Sequence, residues 1–152
     1  MNITRFDQAP QYKAPNHFDM HMLRLQGHEA GPSTALWLGV SQLLPGGHTT
    51  LDGSPVEKHY VVLEGELTLV SELNGVQTEA VLLRHDSACF APGEKRQLVN
   101  RSNRPAMVLL AMPYPPAASA AVSASATATL AAVATASVTG SSAVTSTISV
   151  RK

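Results

Sequence analysis

The chain has 152 residues, which suits one domain with a real hydrophobic core. Lysine plus arginine and aspartate plus glutamate each number 11, so the formal net charge is zero and neither nucleic acid nor an anionic membrane is expected as a partner. A single cysteine, Cys89, excludes an internal disulfide and a four-cysteine zinc site, and we expect it to be a small buried apolar side chain rather than a reactive thiol.

Residues 1–18 contain charges and prolines but no apolar run of the kind found in signal peptides, which predicts a cytoplasmic protein. Downstream, short apolar or β-branched segments are separated by Gly, Pro, Asn or Asp, and each predicts a strand. These segments are residues 36–44, 59–63, 66–71, 76–83, 88–90, 97–100 and 106–112. Asn74-Gly75 predicts a two-residue hairpin turn, because both turn positions require a positive φ. Many short strands joined by tight turns predict an all-β domain, either a sandwich or a barrel.

The composition changes near residue 115. Residues 105–150 carry no charge, and residues 117–150 are almost wholly Ala, Ser, Thr and Val. We therefore predict a folded domain over residues 1–115 and a low-complexity tail over 116–152. The tail is predicted to be disordered, because it lacks large apolar side chains to bury. A helix over 124–138, which alanine favours, is the alternative; the density of Ser and Thr opposes a transmembrane helix.

Two motifs give a resemblance to a known family. Residues 45–65 read PGGHTTLDGSPVEKHYVVLEG and residues 85–100 read HDSACFAPGEKRQLVN. Their layout, over about residues 20–113, resembles the two motifs of the cupin superfamily. The scaffold positions of those motifs are present as Gly46, Gly65, Gly93 and Asn100. The resemblance implies a jelly-roll β-barrel.

The resemblance also implies four metal ligands, namely two histidines and a glutamate in the first motif and a histidine in the second. Those positions hold Asp52, Ser54, Lys58 and Arg96. Divalent iron, manganese or zinc would require neutral imidazoles and a carboxylate there. Lys58 and Arg96 bring two cations instead, and these repel a dication. We therefore expect a degenerate metal site, with no metal and no other cofactor.

In the register of the family, the alternation of side chains along each strand predicts which groups face the barrel interior. That polar set is His48, Thr50, Asp52, Ser54, Lys58, Tyr60 and Arg96. Ser54, Lys58 and Arg96 are the predicted ligand-binding residues, and two cations in a partly apolar cup suit a small carboxylate. A small-molecule-binding protein is therefore the first functional hypothesis.

The second hypothesis is a metal-independent isomerase, decarboxylase or lyase acting on a small oxo-acid. His48, Asp52 and Tyr60 are then the predicted catalytic proton carriers, while the cations stabilise an enolate. A third hypothesis requires a one-residue slip of the strand, which turns Glu57 and His59 inward and builds a metal site from His48, Glu57 and His59.

A purely structural interpretation of the same cluster is an internal ion pair of Asp52 with Lys58 or Arg96, since a buried charge must find a partner. Small barrels of this family frequently pair through edge strands and N-terminal arms. The resemblance, with the need to protect strand edges, therefore implies a homodimer. A small-molecule ligand is the other expected partner.

Overall fold

A computed structural model describes residues 1–115. The predictions for the tail, residues 116–152, concern a segment outside that range. Residues 1–115 form nine strands and two three-residue 3-10 turns. The strands are β1 Gln11–Tyr12, β2 His17–Gln26, β3 Leu36–Thr49, β4 Lys58–Glu64, β5 Glu66–Leu73, β6 Val76–Leu83, β7 Ser87–Phe90, β8 Lys95–Val99 and β9 Ala106–Pro113, and the turns are Phe6–Gln8 and His28–Ala30. Neither turn approaches the length that a helix needs to cross a bilayer.

The strands form one antiparallel sheet in the order β6-β5-β8-β3-β9-β4-β7, with β2 paired to β3 and β1 paired to β2. This sheet curls into a nearly closed barrel whose two ends are β6 and β7. The all-β, jelly-roll prediction is confirmed. The Asn74-Gly75 turn also adopts positive φ at both positions, 54° and 78°, as the hairpin requires.

The predicted strands correspond to β3 through β9, but β1 and β2 are not among them. The β2 sequence, HFDMHMLRLQ, mixes charged and imidazole side chains with apolar ones, so its pattern is weak. β3 is longer than predicted and continues through Pro45-Gly46-Gly47 to Thr49. Gly46 makes this possible, because its φ of 81° is readily adopted only by glycine.

Large apolar side chains fill the barrel interior. Leu43, Val62, Leu67 and Val108 are almost completely buried. The same core also contains three aromatic residues, Trp37, Tyr60 and Phe90. Polar groups that contact these rings therefore lie against the barrel interior, and the candidate site is built from them.

Asn100 is a polar side chain that is completely buried. Its amide nitrogen donates to the backbone oxygens of Leu43, Leu44 and Arg104 at 2.9, 3.2 and 2.7 Å. Its Oδ1 accepts from the backbone nitrogen of Ser102 at 3.0 Å. One side chain thus joins β3 to the segment between β8 and β9.

We expect Asn100→Ala to lower the free energy of unfolding by roughly 3 kcal/mol or more, because several buried backbone groups lose their partner and each costs about 1–3 kcal/mol. Urea unfolding followed by circular dichroism measures the change. Asn103→Ala, at an exposed position three residues away, is the matched control. It should change stability by less than about 0.5 kcal/mol, and equal stability of the two variants would contradict the assignment.

Candidate functional site

The register of β4 decides which side chains face the interior. Tyr60 and Val62 are 4% and 0% exposed, and Lys58 is partly buried at the same phase of the strand. His59, between them, is exposed. The strand is fixed on both sides, since Tyr60 pairs with Leu110 of β9 and with Ala88 of β7. The family register is therefore present, and the one-residue slip required by the relocated metal site does not occur.

Arg96 of β8 is the centre of the interior cluster. Its Nε donates to the hydroxyl of Tyr60 at 3.1 Å, and its Nη1 donates to the backbone oxygen of Asp52 at 2.5 Å. The two backbones also form an isolated bridge, with both N–H to O=C distances at 3.1 Å. The guanidinium is thus held between β4 and the segment that follows β3.

The charges around Arg96 shift the pKa of Lys58. Burial of the ammonium, and then repulsion by Arg96, lower the pKa of Lys58 from 10.5 to about 8, while the carboxylate of Asp52 acts in the opposite direction. Burial raises the pKa of Tyr60, and Arg96 partly offsets that effect. Two cations therefore lie close enough to repel each other against the barrel core.

The predicted internal ion pair is not formed. Among residues 1–115 the ion pairs within 4.0 Å involve other side chains, and Asp52 joins neither Lys58 nor Arg96 in this way. Arg96 uses the backbone oxygen of Asp52 instead of its carboxylate. The interpretation of the cluster as a charge-neutral plug is therefore wrong.

The prediction that His48, Thr50 and Asp52 face the interior is also wrong, and Asp52 is exposed. His48 stacks on Phe18, an exposed residue of β2, with ring centroids 5.0 Å apart, and Thr50 is exposed. The buried residue is Thr49, which is 7% exposed. The regular alternation stops there because β3 ends and the chain bends just before Asp52. Counting alternate residues back from Asp52 therefore selects the wrong face.

Ser54 makes local contacts in the structure. Its hydroxyl accepts a hydrogen bond from the backbone nitrogen of Val56 at 3.3 Å, and its carbonyl accepts one from Gly93 at 2.7 Å. These bonds fix the turn before β4 against the turn before β8. The assignment of Ser54 to ligand binding stays a prediction, as do those of Lys58 and Arg96.

Glu57 and His59 lie together on the outside of the barrel, where His59 Nε2 is 2.5 Å from Glu57 Oε1. Their neighbour is Cys89 rather than His48. The metal site predicted from His48, Glu57 and His59 is therefore wrong, because His48 belongs to a different strand face. Cys89 is exposed, so its expected role as a buried apolar side chain is wrong as well.

Arg24 of β2 is a further partly buried cation, and the sequence analysis did not single it out. Its guanidinium carbon lies 3.8 Å from the ring centroid of Tyr12 and 4.0 Å from that of Trp37. Arg24 Nε and Nη1 are buried and have no hydrogen-bond partner in the described part of the chain. The nearest carboxylate, Glu29, is 3.7 Å from Nε and therefore beyond a good hydrogen bond.

Tyr12 interacts electrostatically with both Arg24 and Tyr60. Burial raises the pKa of Tyr12, whereas Arg24 and a hydrogen bond with Ser41 lower it, and the proximity of Tyr60 raises it slightly. Tyr12 therefore lies near both Arg24 and Tyr60. A signal for Arg24 was present in the sequence, since it falls in the same alternate phase of β2 as Met20 and Met22.

Comparison with curated proteins finds one named Beta-D-galactosidase Rv1717, from Mycobacterium tuberculosis. It is 41% identical to this chain over 120 residues, which are 79% of this chain and 100% of that protein. No protein-family model matches the chain.

Solved structures with the same fold include the polyketide cyclase RemF from Streptomyces resistomycificus, with a TM-score of 0.64 and 20% identity over 76% of this chain and 82% of that one. A sugar phosphate isomerase of the cupin superfamily from Silicibacter pomeroyi has a TM-score of 0.61 and 24% identity, over 74% and 75% of the two chains. A predicted oxalate decarboxylase from Thermotoga maritima also has a TM-score of 0.61, with 20% identity over 76% and 100%. At these identities the structures show the fold alone. The chain therefore has the cupin-type barrel fold, and it belongs to the family of the Mycobacterium tuberculosis protein.

Proposed function

We propose that the barrel interior binds a small carboxylate, without a metal ion, at a cationic cluster of Arg24, Lys58 and Arg96. The observation that carries this proposal is Arg24, whose guanidinium lies against the rings of Tyr12 and Trp37. Its buried Nε and Nη1 lack hydrogen-bond partners among residues 1–115, and Glu29, 3.7 Å from Nε, is too distant to supply one. A buried guanidinium with unused donors is costly unless an anion satisfies it. A planar carboxylate matches the fork of its N–H groups.

The electrostatics of Lys58 support the same ligand class. Its pKa of about 8 reflects burial and repulsion by Arg96. A bound carboxylate would offset both effects, because it places a negative charge beside two positive ones. The aromatic surroundings, Tyr12 and Tyr60, add hydroxyl groups that can bond to the polar parts of a small ligand.

A divalent metal does not fit this donor set. The positions that hold ligands in the family carry Lys58 and Arg96, and Arg96 acts here as a hydrogen-bond donor to Tyr60 and to the Asp52 backbone, with no lone pair to offer a metal. A dication there would meet two cations in a poorly solvated place. We therefore propose that the metal site of the family is degenerate in this chain and that any chemistry proceeds through its own side chains.

The enzymatic alternative, a metal-independent isomerase, decarboxylase or lyase on a small oxo-acid, uses the same cluster. Tyr60 keeps its phenol proton because burial raises its pKa, so its hydroxyl would act in this version mainly as a hydrogen-bond donor to the substrate. Asp52 carries the carboxylate that acts on Lys58 and would serve as the base. Lys58 and Arg96 would stabilise an enolate oxygen. His48 has no part in this version, because it lies on the outer face.

A second candidate is the binding and hydrolysis of a β-D-galactoside, which the name of the 41% identical relative favours. Glycoside hydrolysis usually needs two carboxyl groups, although some enzymes use a tyrosine nucleophile. In this cluster Asp52 would supply the carboxylate and Tyr60, bonded to Arg96, would supply the hydroxyl. The N–H donors of the cations suit sugar hydroxyls as well as carboxylates.

Small carboxylates should raise the melting temperature of the protein. A ligand at 100 times its Kd stabilises the folded state by about 2.7 kcal/mol, which is a shift of several degrees for a domain of this size. We expect the double variant Lys58→Met, Arg96→Leu to lose the shift, and Arg24→Met to reduce it. Differential scanning fluorimetry with a panel of carboxylates, alongside uncharged galactose, measures the effect.

The matched control is Lys95→Met, Arg101→Leu. The control also replaces one lysine and one arginine, but these side chains are 52% and 56% exposed and pair with Glu72 and Glu79 on the surface. Removing them should leave the carboxylate shift unchanged. Loss of the shift in the control, or its survival in Lys58→Met, Arg96→Leu, would place carboxylate binding outside the interior cluster.

Carboxylate binding should weaken as the pH rises above about 8. Lys58 loses its proton around that pH instead of near 10.5, and a bound anion favours the protonated amine. The Kd should therefore be constant below pH 8 and rise by up to about tenfold per pH unit above it. Isothermal titration calorimetry on both sides of pH 8 tests this. A Kd that stays constant, or a Lys58→Met variant with the same pH profile, would refute the role of Lys58.

Hydrolysis of an aryl β-D-galactoside, followed in excess chelator, tests the second candidate. We expect turnover to survive chelation, and to fall by about a hundredfold or more in Asp52→Asn and in Tyr60→Phe. An aryl β-D-glucoside serves as the substrate control. If the protein shows no turnover but its melting temperature still rises with carboxylates, this candidate is rejected and the first proposal stands.

The homodimer and the cytoplasmic location remain predictions from the sequence.

A further inference from the structure

The outer face of β4 and β7 carries a second group of chemically active side chains. Glu57, His59 and Cys89 each place one potential ligand atom so that all three atoms lie within 4.8 Å of one another. His59 and Cys89 are directly opposite partners across the two strands. Glu57 precedes β4 by one residue and contacts His59 at 2.5 Å. The donors are a carboxylate, an imidazole and a thiol, which is a different set from that of the interior.

The backbone fixes this arrangement. Directly paired residues of an antiparallel ladder keep their Cβ atoms about 4.5–5.5 Å apart, and β4 is held on its other side by β9. Tetrahedral zinc bonds of about 2.0–2.3 Å require donor atoms roughly 3.3–3.8 Å apart. The three donor atoms lie within 4.8 Å of one another, and those of Glu57 and His59 are 2.5 Å apart. The separations therefore need to change by roughly 1–1.5 Å, which rotation about the bonds of exposed side chains supplies.

We propose that Glu57, His59 and Cys89 bind a zinc-type divalent cation on the outside of the barrel. Thiolate and imidazole select zinc over magnesium or calcium, and three protein ligands leave one tetrahedral position for water or another ligand. Cys89 also lines a cleft of about 250 Å³ together with Ser71 and Glu94, so a molecule bound in that cleft would lie beside the metal.

This outer site is separate from the interior cluster. Lys58 and Tyr60 alternate with Glu57 and His59 along the chain and occupy the opposite face of β4. The outer site therefore does not depend on the proposed carboxylate function, and each can fail without the other.

Cobalt(II) titration of the full-length, tag-free protein under reducing conditions tests the proposal. Because the chain has one cysteine, a thiolate-to-cobalt absorption band in the near ultraviolet reports on Cys89 alone. We expect one cobalt per chain, displaced by zinc. The band should be lost in Cys89→Ser. The affinity for cobalt should fall in His59→Gln and in Glu57→Gln. Because these residues are proposed as direct ligands, the fall should exceed the roughly 10–100-fold that loss of a residue hydrogen-bonded to a ligand costs.

Two variants serve as controls. His21→Gln removes an exposed histidine on β2 and should leave the band and the affinity unchanged. Lys58→Met, Arg96→Leu should also keep the band, since it alters only the interior. The absence of a band, a band unaffected by His59→Gln, or a stoichiometry of one cobalt per two chains would overturn the proposal. Melting temperatures of all variants verify that they are folded.

Discussion

The interior of this barrel depends on how the guanidinium of Arg96 is held. It donates to the hydroxyl of Tyr60 and to the backbone oxygen of Asp52, and the Asp52 and Arg96 backbones pair as well. These bonds fix the segment after β3 against β8, and they keep a positive charge beside Lys58. Because Asp52 contributes a carbonyl instead of its carboxylate, the charge of Arg96 is not neutralised by its own partner, and the cluster stays cationic.

Much of the fold follows from short-range sequence information. The Asn74-Gly75 turn, the β-branched segments and the spacing from Lys58 to Gly65 were sufficient to predict seven strands and the inward face of β4. These features are local, since a turn or an alternation is set by adjacent residues. The buried Asn100 was also marked by its place in the second motif, although its partners on β3 could not be derived from the sequence.

The errors in the predicted site arose where the backbone stops being regular or where distant segments meet. Alternation predicted His48 inside, but β3 ends at Thr49 and the face changes before Asp52. The partner of Arg96 was predicted to be a carboxylate, whereas a backbone bridge between residues 44 positions apart supplies an oxygen at lower cost in desolvation. Arg24 was missed because β2 has a mixed pattern, and its stacking on Trp37 is a contact between strands.

The two faces of β4 also bear on which ligand such a barrel can hold. A one-residue slip of β4 against both neighbouring strands would exchange the faces, placing carboxylate and imidazole in the lumen and amine and phenol outside. The same slip would expose Val62, so the core opposes it. The chemistry of the lumen is therefore set by the register of one strand. One barrel strand thus carries two chemistries on its two faces, and the architecture alone does not specify the ligand.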